Sequence, residues 1–249
     1  MKFLLIPLIV FCGALPALAN FSELMKSGDV HDANNQFDEA LKYYLPAEKI
    51  EPTNADLLVK ISRQYALQMN DLPKDSDKIA SVRKALTYAE RAVASEPTRC
   101  DSHLAVAICL GRLIPYLGAR EKVETSRKIK IAAEMAVKLD PKNDYAWHLL
   151  GRWHQSLANI GGATRLLAGI IYDGLPAASN EQAVDAFKKA IALNSKRLVH
   201  FIELGRTYEM MGRKDEAKRN LEIGLSMPNK EKDDPETKMR GRASLREIS

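Results

Sequence analysis

Four arginines recur behind similar fragments: Arg63 in Ile61-Ser62-Arg63, Arg112 in Leu110-Gly111-Arg112, Arg152 in Leu150-Gly151-Arg152 and Arg206 in Leu204-Gly205-Arg206. A guanidinium presents a planar fork of donors that pairs bidentately with a carboxylate. A row of them would suit an acidic segment or a free C-terminal carboxylate. The competing reading is internal, each Arg bridging to an Asp or Glu of its own or a neighbouring element.

Other residues that could do chemistry are poorly spaced for it. The histidines are His31, His103, His148, His154 and His200, with no i, i+4 pair and no His-Glu-x-x-His. Neither Cys100 nor Cys109 has a Cys-x-x-Cys partner, which argues against structural zinc. On one helix, a separation of nine positions spans roughly 13 to 14 Å, too far for a disulfide, so both read as small apolar residues. Gly161-Gly162 precede Ala-Thr-Arg and form no phosphate loop, and no Gly-x-Ser-x-Gly occurs. The expectation is a non-enzyme with no metal and no cofactor.

The elements that must hold the arginines are helices. The 249 residues are 46% hydrophobic and 28% charged, enough for a core. A net charge of +5, spread along the chain, argues against a nucleic-acid binder. Residues 1–19 have Lys2, an apolar run from Phe3 to Cys12, and small residues at Ala17 and Ala19, the layout of a secretory signal cleaved before Asn20. The reading is export, periplasmic or secreted, with no integral membrane segment after cleavage.

Five segments repeat an amphipathic helix followed by a turn: 37–54, 82–99, 127–143, 181–197 and 214–230. A Pro stops four of them and Ser195 the other. A glycine inside the partner helices costs about 1 kcal/mol in helix propensity, so its recurrence implies close approach of the paired helix.

This pattern resembles the tetratricopeptide repeat, with small residues at 8, 20 and 27 and Pro at 32 of each unit. Gly28, Phe37, Ala40, Tyr44, Ala47 and Pro52 fit the first unit without a gap. The expected fold is an all-α, irregular tetratricopeptide-type α-solenoid of helix–turn–helix repeats with insertions. Its boundaries are 20–228 for the repeat domain, 155–180 for the main insertion, and 229–249 for a charged C-terminal tail. Thr164 to Tyr172 is expected to form an extra short helix, Ser179 and Gln182 to start the next through a capping box, and the tail to extend the last helix briefly or fray. Trp147 is read as core and Trp153 as packing against the inserted helix.

Over 147–194, Leu-Gly-Arg-Trp, a short apolar stretch and Leu-Pro-Ala-Ala-Ser resemble the regulator-of-microtubule-dynamics family and its bacterial tetratricopeptide relatives. The resemblance implies the fold and the module type; eukaryotic members are linked to microtubule association and to organelle contact sites or mitochondria. In the tetratricopeptide register the first helices line the concave face. Arg63, Arg112, Arg152 and Arg206 then form a ladder there, joined by His148 and Tyr116. The sequence reading is an exported, non-catalytic scaffold or adaptor that holds a protein or acidic peptide in that groove. The alternatives are a structural or oligomerising protein, including a homo-oligomer, whose groove is filled by its own insertion, and a microtubule-associated regulator if residues 1–19 are not a secretory signal.

Overall fold

The computed structural model describes residues 20–171 and 174–248, so the expected signal segment lies outside the described residues. Among the described residues there are twelve α-helices and no strand. Five antiparallel pairs form the body: α1 (Phe21–Ala33) with α2 (Phe37–Ile50), α3 (Ala55–Gln68) with α4 (Asp75–Ser95), α5 (Cys100–Leu113) with α6 (Ala119–Leu139), α7 (Asp144–Ala158) with α9 (Asn180–Leu193), and α10 (Leu198–Met210) with α11 (Lys214–Ser226). Helix α8 (Gly162–Ile171) interrupts the fourth pair, and α12 (Asp234–Ile248) packs on α10 and α11.

Local chemistry sets these boundaries. Asn20 and Glu23 close a reciprocal capping box on α1. Asn54, Asn143 and Ser179 accept a backbone N–H at the starts of α3, α7 and α9. The second helices end where Pro follows Glu51, Glu96 and Asp140, each turned to a ψ of 78 to 89°, because a residue before proline is pushed out of the α region. Asn194, ahead of Ser195, adopts the same geometry.

Packing explains the glycines. A Cβ on Gly28 would stand 2.3 Å from the Tyr44 ring, on Gly151 2.9 Å from Phe187, and on Gly205 2.7 Å from Leu221. In the third pair the equivalent of those large residues is Ala133, and a Cβ on Gly111 would meet nothing within 4 Å. The missing side chain on one helix is thus matched to a large one on its partner. The alanines of the second helices, Ala47, Ala92, Ala136 and Ala190, are all fully buried, keeping successive pairs close.

The irregularity has three sources. Helices α4 and α6 run 21 residues against 14 for α2, each preceded by a 3-10 turn, and α8 is inserted after α7. The expected short helix is therefore present, starting at Gly162 rather than Thr164, with Tyr172 outside the described residues. The tail departs from expectation more. Residues 234–248 form a separate helix, held by Gly241, whose Cβ would lie 2.7 Å from Ile202, and by Leu245 and Ile248 against Leu198, Ile202 and Leu221.

Candidate functional site in the inner groove

The first helices touch in a row, α3 to α5, α5 to α7 and α7 to α10, and this row carries the four arginines. Every one of them already has a carboxylate. Arg63 donates to Asp32 of α1 at 2.9 Å and stays 55% exposed. Arg112 donates to Asp233 at 2.7 Å and to Asn70 at 3.2 Å. Arg152 and Arg206 converge on one oxygen of Glu203, at 2.5 and 2.8 Å. Arg240 of α12 reaches its other oxygen at 3.4 Å.

Glu203 is fully buried on α10. Burial alone would raise its pKa, but the guanidiniums of Arg152, Arg206 and Arg240 outweigh it and hold the carboxyl below its ordinary value. Gln155 completes the knot, accepting from Arg152 and donating to the Glu203 carbonyl and the Thr207 hydroxyl. Two of the sequence-predicted arginines thus serve a buried network that ties α7, α10 and α12 together.

The other two sequence-predicted contacts lie elsewhere. His148 is buried rather than presented to a groove, packed against Phe187 and against His200, with the two Nδ1 atoms 3.1 Å apart. His200 bonds Asp144 through Nε2 at 2.8 Å. Burial lowers the pKa of both rings, for His148 well below its ordinary value. With both neutral, His200 donates through Nε2 to the carboxylate and accepts at Nδ1 from His148. Tyr116 sits in the 3-10 turn after α5, half-buried against the core of the first two pairs. One of the two tryptophans also departs from expectation. Trp147 is half-exposed, its N–H on the Pro141 carbonyl and Lys189 over its ring, because it opens a first helix above the turn. Trp153 is buried, with its N–H donated to the Ser126 carbonyl of α6.

What remains of the groove is a cavity of about 500 Å³ between α3, α5, the start of α7 and residues 231–233. Its apolar wall includes Ala66, Leu104 and Ile108, and its polar rim Arg63, Arg112 and Arg197. Arg197 was not singled out in the sequence; it lies 3.3 Å from Asp144 and 3.2 Å from Glu231, with its guanidinium over the Tyr145 ring. Among the described residues no group of His, Cys, Asp and Glu is placed to hold a metal ion. No described helix is long and apolar enough to cross a membrane. Cys100 and Cys109 are free thiols on α5.

A model of the family described as regulator of microtubule dynamics protein 1-3 matches residues 23–249. Regulator of microtubule dynamics protein 1 of Bos taurus is 30% identical over 172 residues, 67% of this chain and 53% of its own length. Regulator of microtubule dynamics protein 3 of Xenopus laevis is 24% identical over 218 residues, 86% of this chain and 47% of its own length. The chain spans about half the length of these curated relatives. Among solved structures, a thermophilic TPR protein of Thermus thermophilus aligns with a TM-score of 0.63 at 18% identity, covering 90% of this chain and 98% of that one. YrrB, described as a TPR protein with an unusual peptide-binding site, aligns with a TM-score of 0.51 at 13% identity over 92% of this chain and 100% of its own. At those identities the likeness shows the fold alone, an all-α tetratricopeptide-type solenoid. Because the family match extends from α1 through α12 and takes in the inserted helix as well as the paired ones, the chain belongs to the regulator of microtubule dynamics protein 1-3 family.

Proposed function

We propose that the chain is a non-catalytic adaptor that binds a protein partner at the inner face of its solenoid, and that it works outside the cytoplasm. The observation carrying the first part is the cavity beside Arg63, Arg112 and Arg197, where guanidiniums now paired with Asp32, Asp233, Asp144 and Glu231 border an apolar wall. This combination takes up an extended acidic segment: carboxylates pair with the rim and a side chain fills the space behind it. Arg152 and Arg206 do not line this cavity; Glu203 takes their donors. The second part rests on the signal-like layout of residues 1–19.

The test is capture from an envelope extract by the native chain and by Arg63→Gln/Arg112→Gln. Both arginines can be changed without touching the buried Glu203 network, and circular dichroism checks that the variant is folded. A partner kept by the native chain, lost by the variant and rebound when purified supports the inner face. The same captured set with both proteins overturns it.

A second reading is favoured by the family itself, whose name attaches it to microtubule dynamics. Sequencing the N-terminus of the mature protein separates the two: a start at Asn20 supports export, whereas an intact Met1 with co-sedimentation on polymerised tubulin supports the microtubule role.

A further inference from the structure

The inner groove is partly filled by the chain itself, and none of the described residues of the insertion lines it. Between α11 and α12 the segment Lys230–Asp233 crosses to the N-terminal half of the solenoid. Asp233 accepts from Arg112 at 2.7 Å and from Asn70 at 2.9 Å. Glu231 stands 3.2 Å from Arg197, and Lys232 lies 3.3 Å from Asp71 and over the Phe37 ring. These contacts join residues up to 195 apart in sequence.

We propose that residues 231–233 are an internal acidic occupant of the groove, and that a protein partner enters by presenting its own extended acidic segment, with an apolar side chain, to displace them. This deepens the adaptor reading and rests on it.

Three observations support displacement rather than permanent closure. The segment meets the groove only through polar and charged contacts, three ion pairs, the Asn70 hydrogen bond and Lys232 over the Phe37 ring, and its three side chains are 33 to 44% exposed, the kind of contact that water and salt exchange readily. Its two ends are secured independently of the groove. Asp234 accepts the N–H groups of Lys230 and Glu231 in a local turn, and Leu245 and Ile248 anchor α12 on α10 and α11. The cavity beside it is left with an apolar wall that no side chain of the segment covers by burial, giving a competing ligand something the internal one lacks. Burial raises the Glu231 pKa against the pull of Arg197, consistent with a pair that gains little from staying closed.

The test uses the whole chain and a fluorescein-labelled peptide of residues 229–235, Asn-Lys-Glu-Lys-Asp-Asp-Pro, read by fluorescence anisotropy at low ionic strength. Glu231→Gln/Asp233→Asn keeps the shape of the segment and removes its charge. A tethered competitor acts at an effective concentration of order mM, so the variant should bind the peptide at least about tenfold more tightly than the native chain. Adding Arg112→Gln should abolish that gain. Hydrogen exchange should quicken at 229–233 in the variant while α12 stays protected. Equal affinity in native chain and variant, still lost with Arg112→Gln, would overturn internal occupancy and leave the groove as an acid-binding surface. If neither form binds although 229–233 has become exchangeable, the groove reading itself falls, and this proposal with it.

Discussion

Replacing Glu203 by Gln should be the most damaging single polar substitution in this solenoid. The change keeps side-chain size and one acceptor oxygen, yet leaves three guanidiniums facing a neutral amide. The Nη1 atoms of Arg152 and Arg206 share one carboxylate oxygen, at 2.5 and 2.8 Å, so they stand within about 5 Å of each other. At an effective dielectric of about 20, two unit charges at that distance repel by about 3 kcal/mol. With the carboxylate gone, that repulsion is uncompensated, and removing one partner of a buried ion pair costs about 3–5 kcal/mol in general. The partial exposure of Arg152, Arg206 and Arg240, 36, 20 and 35%, favours the lower end.

Differential scanning calorimetry should therefore show Tm falling by about 6–12 °C for a loss of about 3 kcal/mol at this chain length, with hydrogen exchange accelerating in α7, α10 and α12 before the first two pairs. The pH dependence supplies a second readout. The folded pKa of Glu203 is lowered from 4.5, so its contribution is present above that pH and is lost as pH falls through the folded value. The variant should lose less stability than the native chain over that acidic window. A loss below about 1 kcal/mol with an unchanged pH profile would refute the claim that this carboxylate holds the C-terminal pairs together.

Three further outcomes follow from the same packing and electrostatics. Gly151→Ala should destabilise by about 1–3 kcal/mol, because its Cβ would press on Phe187 at 2.9 Å, whereas Gly111→Ala, with nothing within 4 Å, should stabilise by about 0.5–1 kcal/mol; paired thermal melts check the opposite signs. His148 and His200 both have folded pKa values below 6.5, so the unfolded chain binds more protons as pH drops below 6.5 and stability falls from there toward the folded values. Urea melts between pH 7 and 5 should show that slope, reduced in His148→Gln/His200→Gln. Burial pushes the Cys109 thiol up to about 11, so iodoacetamide at pH 8 should leave it unmodified in the folded chain and alkylate it in urea.

The fold was legible because it is local. The stripe of apolar residues, the Pro after four of the five second helices and the Leu-Gly-Arg triplets are all written within single repeats, and each corresponds to a helix pair. Even the inserted helix was visible, since Gly174 and Pro176 mark where it must have ended. The state of the arginines was not legible, because their partners are set by distances across the superhelix. Asp233 lies 121 residues from Arg112, and nothing in the local pattern joins them. Glu203 did carry a signal, a lone carboxylate directly after the mostly apolar run Leu198-Val199-His200-Phe201-Ile202 and three residues ahead of Arg206. Trp147 illustrates the reverse error: an aromatic at a repeat position reads as core, but at the first turn of α7 its ring lies over the preceding loop. Helix α12 was missed because its buried side is small and polar, Thr237, Gly241 and Ser244, with hardly an apolar stripe to detect.

The crossing of residues 231–233 also imposes an order in time. Arg112 leaves the ribosome 121 residues before the carboxylate it pairs with, which at about 5–20 residues per second is a delay of roughly 6–24 s. Wherever folding keeps pace with synthesis, α1 to α6 can pack during that interval while Arg112 and Asn70 still lack Asp233. In that case the nascent chain passes through a stage in which the groove is open and Arg112 lacks its carboxylate, and closing it is among the last events in the maturation of the molecule.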